Sequence, residues 1–527
     1  MLASESAPDA SRSSGAAASR RPRRGWPRPL IGALLAIWLG TAYWHTHKPL
    51  LPGERVASRW YAAAPADIRF IADVTAADGY GRPVVSHAAF DDMLELTRSA
   101  REFIVVDAYR FSTEPLRDAS HAADGAPGSG HPSYGRNVAA ELRDALIARK
   151  RAEPRLRVLV IVDPASVAFG SRRSADLDLL RRGGIDVVVT DLDRLRDSNF
   201  LYSSLWRLAV RWWAGGTHAP ERIEAASAGW LEAANLKANR RDLLIADDGR
   251  GGLAGILSAT ELSAAGDADS NIAMRLAGPV LVPLLRSEID IARFSGWRGV
   301  LGAPTERDAP APEPAGSDPA ERGHGSDSTL EVRILTEGAI RDALLARIDA
   351  ARAGDTIDIA AFSLSDRAVI ESLVAASRRG AVARLILDPG EDAFGRDGAG
   401  NPNRSVAGEL LAASDGAIRV RWYRTHGERF RAALVLIRGR ERCWLTAGSA
   451  NLTRRSLGDY DLDADVAVLV PHDSALAEQV IDYFDTLWSN RAAVGIEYTA
   501  DVGVYADASQ LDYWRYRLME ASGLARY

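Results

Sequence analysis

Residues 158–170 read VLVIVDPASVAFG, and residues 383–395 read ARLILDPGEDAFG. In each, an apolar strand runs into Asp-Pro and then, at the same spacing, into Ala-Phe-Gly. The likeness extends outward. Upstream, FDDMLELTRSAREFIVVDAYRFS (90–112) parallels IRDALLARIDAARAGDTIDIAAFSLS (340–365), an amphipathic helix feeding an apolar strand. Downstream, LLIADDGRGGLAGILSATEL (243–262) parallels LVLIRGRERCWLTAGSANLT (434–453). The chain is therefore two copies of one unit. The offset between copies falls from 225 at Asp163 and Asp388 to 191 at Ser258 and Ser449, so the first copy carries about 34 additional residues, around 199–231. Alternating helices and apolar strands predict α/β units, each with a sheet covered by helices.

Between the copies, APTERDAPAPEPAGSDPAERGHGSDS is rich in Pro, Ala, Gly and charge, which predicts a flexible linker over 303–328. The expected layout is a basic tail at 1–29, an apolar anchor at 30–45, a first domain at 65–302, the linker, a second domain at 329–497 and a tail at 498–527. The 527 residues are 47% hydrophobic, enough for two well-buried cores. A net charge of -5 gives no overall basic field and argues against a nucleic-acid partner. The one cysteine, Cys443, excludes an internal disulfide and reads as an inert buried thiol. Only three of the 65 basic residues are lysine (Lys48, Lys150 and Lys237).

The N-terminal region runs from SRRPRRGWPRP into LIGALLAIWLGTAYW (30–44). With residues 26–29 the stretch reaches the roughly 17–25 residues that a membrane span needs. Trp38, Tyr43 and Trp44 are placed for an interface, and the arginines before it predict a cytoplasmic N-terminus with the body outside. This is the expected N-terminal transmembrane helix: a single pass through the cytoplasmic (inner) membrane, with the bulk of the chain extracytoplasmic, and periplasmic if the cell is Gram-negative. A cleaved signal peptide ending at Gly40-Thr41-Ala42 is the competing reading.

With the copies aligned, the chain resembles the phospholipase D superfamily, in particular its bacterial cardiolipin-synthase-like members, over residues 65–495. The resemblance implies two phospholipase-D-like α-β-α domains packed as an intramolecular pseudo-dimer around one shared site. It implies, in each copy, a His-x-Lys on a strand, an Asp separated from the Lys by four residues, and a Gly-Ser-x-Asn turn. One histidine would attack phosphorus, the other would protonate the leaving oxygen, and Lys and Asn would hold the phosphate. No metal or cofactor is implied. In the first copy, KANRRDLLIADD puts Arg240 at the His position and Asp242 at the Lys position, and keeps Asp247; of the turn, Ser258 survives. In the second, RFRAALVLIR puts Arg431 at the His, Ala433 at the Lys and Arg438 at the Asp, while the whole turn Gly448-Ser449-Ala450-Asn451 survives. Asp463 corresponds to an acid that supports the histidine in the family.

Arginine is neither a nucleophile nor a useful general acid at accessible pH. Arg240, Ser258, Arg431, Ser449 and Asn451 could still bind a phosphate, supported by Asp242, Asp247 and Asp463. On a strand, residues two apart share a face. Arg240 and Asp242 would then point into one space, and a salt bridge from Asp242 to one or both arginines would close the pocket. Both pockets, closed and phosphate-binding, stand as expectations. Two readings of function follow. One is a degenerate, membrane-associated member that binds phospholipid headgroups or other phosphodiesters with little or no catalysis. The alternative is an active phosphodiesterase or phosphatidyltransferase with a rearranged site, in which His426 is the candidate new participant.

The additional segment of the first copy contains SNFLYSSLWRLAVRWWAGG (198–216), with Leu201, Leu205, Leu208 and Trp212 at helical spacing and Ser203, Arg207 and Arg211 on the opposite stripe. It reads either as a helix lying in a membrane interface or as one packed over the domain.

Overall fold

The structure is a computed structural model of the chain. It describes residues 28–77, 83–113, 136–167, 174–211, 235–263, 268–302, 330–390, 402–425, 428–491, 496–505 and 509–524. The linker 303–328, His426 and residues 212–216 of the additional segment lie outside the described residues.

Two sheets carry the fold, and both have the same strand order. The first runs Ile68–Asp73, Asn271–Ala277, Leu253–Ser258, Asp242–Asp247, Phe103–Ala108, Arg157–Val162, Asp186–Val189. The second runs Leu330–Thr336, Ala464–Pro471, Arg442–Gly448, Ala433–Arg438, Thr356–Ala361, Val382–Leu387, Ile418–Tyr423. In each, the last three strands are parallel and the remaining pairings antiparallel. The sequence repeat is thus a repeat of topology. The second sheet is longer by two edge strands, Thr499–Asp501 and Tyr61–Ala63. The latter precedes the first unit in sequence and is zipped onto the second.

Strands Phe103–Ala108, Asp242–Asp247 and Leu253–Ser258 are buried at every position, as strands covered on both faces must be. The inner faces of the two sheets, with helices Val282–Phe294 and Ala475–Ser489 between them, form one continuous core: Phe70, Val105 and Ile272 of the first unit and Val332, Leu434 and Phe484 of the second belong to it. Each unit also packs its outer helices on its own outer core. Cys443 is buried in the shared core, and its thiol is pushed up to about 12 by burial and then by Asp358, out of reach of ordinary thiolate chemistry.

The apolar N-terminal stretch forms the helix Arg28–His47. No described helix is long and apolar enough to cross a membrane. This one lies against the short helix Phe200–Leu205, where Trp38 Nε1 donates to the Leu201 carbonyl at 3.1 Å. The second helix turns outward the stripe Leu201, Leu205 and Leu208, while Ser203 and Trp206 are buried. Arg207 is inward too, paired with Asp197 at 2.8 Å, and Asp197 also holds the buried Lys237 at 2.9 Å. Ser203 and Arg207 of the polar stripe are therefore on the anchored side, while Arg211 is exposed and pairs with Asp193 at 3.3 Å. Leu34, Leu35, Ile37 and Trp44 of the N-terminal helix are exposed too.

Candidate functional site

Each repeated Asp-Pro ends a strand in a carboxylate that fixes the next segment of its own unit. Asp163 Oδ2 accepts from the Asn239 N–H at 2.7 Å, and Asp388 Oδ2 from the Phe430 N–H at 2.9 Å. The residue held in each case directly precedes an arginine, Arg240 in the first unit and Arg431 in the second.

Those segments are completed from the opposite unit. In 238–240, the Arg240 N–H donates to Leu462 O at 2.8 Å, and Leu462 N–H donates to Ala238 O at 2.9 Å. In 429–431, the Arg431 N–H donates to Ser270 O at 2.7 Å, and Ser270 N–H donates to Arg429 O at 2.9 Å. The ion pairs follow the same reciprocity. Asp461 accepts from the Ala238 N–H at 2.9 Å and pairs with Arg240 at 3.3 Å; Asp269 accepts from the Arg429 N–H at 2.9 Å and pairs with Arg431 at 2.6 Å. Each guanidinium lies over an aromatic ring of its own unit at matching sheet positions, Arg240 over Tyr109 at 5.3 Å and Arg431 over Phe362 at 5.6 Å.

The two halves meet in one cavity of about 20 Å³, lined by Tyr109, Arg240, Asp242, Ala259, Phe362, Arg431, Ser449 and Asn451. That is room for about one water. The halves are not equal. Arg431 also binds Glu261, and Glu261 lies 3.6 Å from Arg110 and 3.8 Å from Arg429. Burial pushes the Glu261 carboxyl up, but Arg431, Arg429 and Arg110 outweigh it and hold it at about 2. Asp461 is shared differently, since Arg455 reaches it at 3.0 Å as well as Arg240.

Asp242 does not close the pocket by a salt bridge. Among the described residues Arg240 pairs with Asp461, and Arg431 with Glu261 and Asp269; neither guanidinium is within ion-pairing distance of Asp242. The reason is local. The strand begins at Asp242, so Arg240 sits in the cross-unit segment before it and strand alternation does not carry over. Asp242 Oδ1 accepts from the Tyr109 N–H at 2.9 Å. Burial pushes its carboxyl up to about 8, the Tyr109 N–H and Arg431 only partly opposing. The other residues singled out from sequence are placed as follows. Ser449 lines the cavity, but its hydroxyl is engaged, donating to Asp463 Oδ1 at 3.2 Å and accepting from Ala464 N–H at 3.1 Å. The Asn451 amide has no hydrogen bond to a described residue. Ser258 is fully buried behind the wall and bonds the Asp242 carbonyl and the Thr260 N–H. Asp463 is fully buried with Oδ2 unpartnered, and burial followed by Asp461 pushes its carboxyl well above the usual range. Asp247, at the far end of its strand, accepts the N–H groups of Arg101, Glu102 and Phe103, and so fixes a turn away from the cavity. At the equivalent place in the second unit, Arg438 pairs with Asp358 and Asp485. Tyr109, Phe362, Glu261 and Asp269 were not singled out from sequence. Setting the strand ends Ala108 and Ala361 together puts Tyr109 beside Phe362 and could have marked that pair; nothing marks the two acids.

Asp242 gives a pH test. A carboxyl holding its proton to about pH 8 in the folded chain, but releasing it near 3.8 when unfolded, makes the folded state bind the extra proton across that window, so stability falls as pH rises through it. Asp242→Asn cannot titrate. Its unfolding free energy from urea titration is expected to fall less than the wild type's between pH 6 and pH 7.5, by about 1 kcal/mol per pH unit. Equal slopes for the two proteins would show that Asp242 is ionised throughout.

Two comparisons fit this architecture. Residues 344–488 match the family model described as cardiolipin synthase, PLD-like domain. Among solved structures, phosphatidylserine synthase of Haemophilus influenzae Rd KW20 aligns with a TM-score of 0.51 at 12% identity, covering 91% of this chain and 96% of that one. Nuc, a phospholipase D family member from Salmonella typhimurium, aligns at 18% identity with a TM-score of 0.25, over 33% of this chain and 97% of that one. Yeast tyrosyl-DNA phosphodiesterase aligns at 8% identity with a TM-score of 0.35, over 76% of this chain and 88% of that one. A search of curated proteins finds no match. The chain is a mixed α/β protein whose fold is shared with a phosphatidylserine synthase over almost its whole length. Residues 344–488, most of its second unit, match a phospholipase-D-like domain of the cardiolipin-synthase type.

Proposed function

We propose that the protein works at a membrane surface, its two units forming an intramolecular pseudo-dimer that recognises phospholipid headgroups or related phosphodiesters with little or no hydrolysis. One observation carries this reading: the positions that the family's resemblance gives to nucleophile and general acid hold Arg240 and Arg431, and both are already in ion pairs with carboxylates from the opposite unit. A guanidinium can neither attack phosphorus nor hand over a proton. The cavity of about 20 Å³ is smaller than a phosphate group needs. Recognition through it therefore requires one ion pair to open, and Arg240 is the cheaper to release because Arg455 stays on Asp461. Membrane attachment rests on the exposed leucines of the Arg28–His47 and Phe200–Leu205 helices and on the arginines before residue 28. In this reading the N-terminal helix anchors the chain in the inner membrane with the body outside.

The test is incubation of the purified full chain with phosphatidylglycerol and cardiolipin vesicles, with products read by mass spectrometry and bound protein by flotation. The expected result is flotation without product. Product that forms with the wild type and disappears with Ser449→Ala/Asn451→Ala would overturn the reading in favour of an active phosphodiesterase.

A further inference from the structure

The C-terminal helix Gln510–Ser522 lies across the second unit and leaves a groove of about 550 Å³ between itself and the segments carrying Arg341, Arg367 and Arg454. This is the size range of small-ligand sites, and it lies apart from the central cavity. Polar contacts fix the helix. The buried Tyr516 hydroxyl meets Arg367 at 2.9 Å and Glu409 at 3.2 Å, and Glu520 accepts from Ser365 Oγ at 3.0 Å and from the Arg454 N–H at 3.1 Å. At its end, Gly523 (φ +75°) packs so closely on the Ser198 carbonyl that no side chain fits. That contact sets the groove beside the Phe200–Leu205 helix.

The groove has two chemical halves. Its floor carries four guanidiniums, of Arg341, Arg367, Arg454 and Arg517, against two carboxylates, Asp366 and Glu520. Arg341 is matched by Asp366 at 3.2 Å and Arg367 by Glu409 at 2.7 Å. Arg454 makes no side-chain ion pair with a described residue, although the Glu520 carboxylate feels its charge: it stacks on Tyr460, donates to its hydroxyl at 3.2 Å, and leaves Nη1 buried without an acceptor. Among the described residues Arg517 is held by the Tyr513 hydroxyl at 2.8 Å, by the Tyr513 ring at 5.7 Å and, at 3.8 Å, by Glu409. The lip is apolar. Leu511, Trp514 and Leu518 fall on one helical stripe and are 65–78% exposed. An unmatched positive floor under an aromatic and aliphatic lip suits a ligand that is anionic at one end and apolar at the other.

We infer that this groove is a second ligand site, taking a phosphate ester that carries an apolar group. The ester can be a lipid headgroup with its chains on the lip, or a soluble phosphate with an apolar substituent. The inference stands whether or not the central cavity binds or hydrolyses anything.

The test is calorimetric titration of the full chain with dihexanoyl phosphatidic acid below its micellar concentration. Dihexanoyl phosphatidylcholine and inorganic phosphate serve as separate arms. Phosphatidic acid is expected to bind more tightly than either. Trp514→Ala, at an exposed position, and Arg517→Ala, at a half-buried one, are each expected to weaken it about tenfold. Inorganic phosphate that competes weakly identifies the lip as a contributor; an equal affinity would remove it. The inference is overturned if phosphatidic acid does not bind, if the choline lipid binds as well, or if both groove variants bind like the wild type. Vesicles of phosphatidylglycerol, added at saturating soluble ligand, then separate the two sources: competition identifies a lipid headgroup, and its absence identifies a soluble ester.

Discussion

Replacing Arg241 by methionine is expected to destabilise the chain by about 3–5 kcal/mol, the cost of leaving buried charge without its partner. Arg241 is fully buried. It reaches Glu288 of the first unit at 3.0 Å and Glu337 of the second at 2.5 Å, with Ser287 Oγ at 2.6 Å. Glu337 in turn accepts from the Arg55 N–H at 2.6 Å and the Asp463 N–H at 3.2 Å, and it adopts φ +46°, which a non-glycine residue keeps only when its surroundings hold it there. Without the guanidinium, Glu288 and Glu337 face each other across the seam as uncompensated acids. Burial already pushes the Glu337 carboxyl up against the pull of Arg241, and without that guanidinium it would take up a proton more readily, so the loss should be larger at pH 8 than at pH 5. Adding Glu288→Gln and Glu337→Gln should restore most of the stability. Urea midpoints of the wild type, single and triple variants decide it; a single variant within about 1 kcal/mol of wild type would mean that the cluster is not buried as charge.

The second large effect separates the two halves of the central cavity. Arg431→Ala is expected to cost about 3 kcal/mol, and Arg240→Ala only about 1 kcal/mol. The asymmetry follows from the partners left behind. Arg431 leaves two buried carboxylates, Asp269 without another ion pair among the described residues and Glu261 with only the longer contacts to Arg110 and Arg429, whereas Arg240 leaves Asp461 still paired with Arg455 at 3.0 Å. Acid sensitivity gives an independent check. Glu261, held at about 2 when folded against an ordinary 4.5, contributes stability that is complete above pH 4.5 and lost as pH falls toward 2. Arg431→Ala should blunt that acid loss, because Arg110 and Arg429 alone hold the carboxylate less firmly. Equal costs for the two variants at pH 7 would refute the asymmetry.

The fold was legible because topology repeats with sequence. The two Asp-Pro strand ends, 225 residues apart, do the same job in both units, and the alignment built on them put Arg240, Arg431, Ser449 and Asn451 around one cavity. The counter-ions were not legible. Asp461 and Asp269 come from the opposite unit, and among 70 acidic residues no local pattern distinguishes them. Strand alternation misled at Arg240 for a related reason: the cross-unit segment replaces the strand two residues earlier than an apolar pattern can reveal. The groove under the C-terminal helix was equally hidden. LDYWRYRLMEASGLARY reads as a short aromatic helix, and which arginines lie beneath it depends on where it docks.

The reciprocal exchange of segments also sets a timetable for synthesis. Residues 238–240 find their partner only at 461–462, and the strand Tyr61–Ala63 waits for Leu330–Thr336. At roughly 5–20 residues per second, the ribosome delivers the partner of Ala238 on the order of ten to forty seconds after Ala238 itself. Until then the first half of the chain carries an unzipped edge and an apolar inner face. A helper that shields nascent chains, or rapid translation through the second half, would matter more to the yield of this protein than to one whose halves close independently.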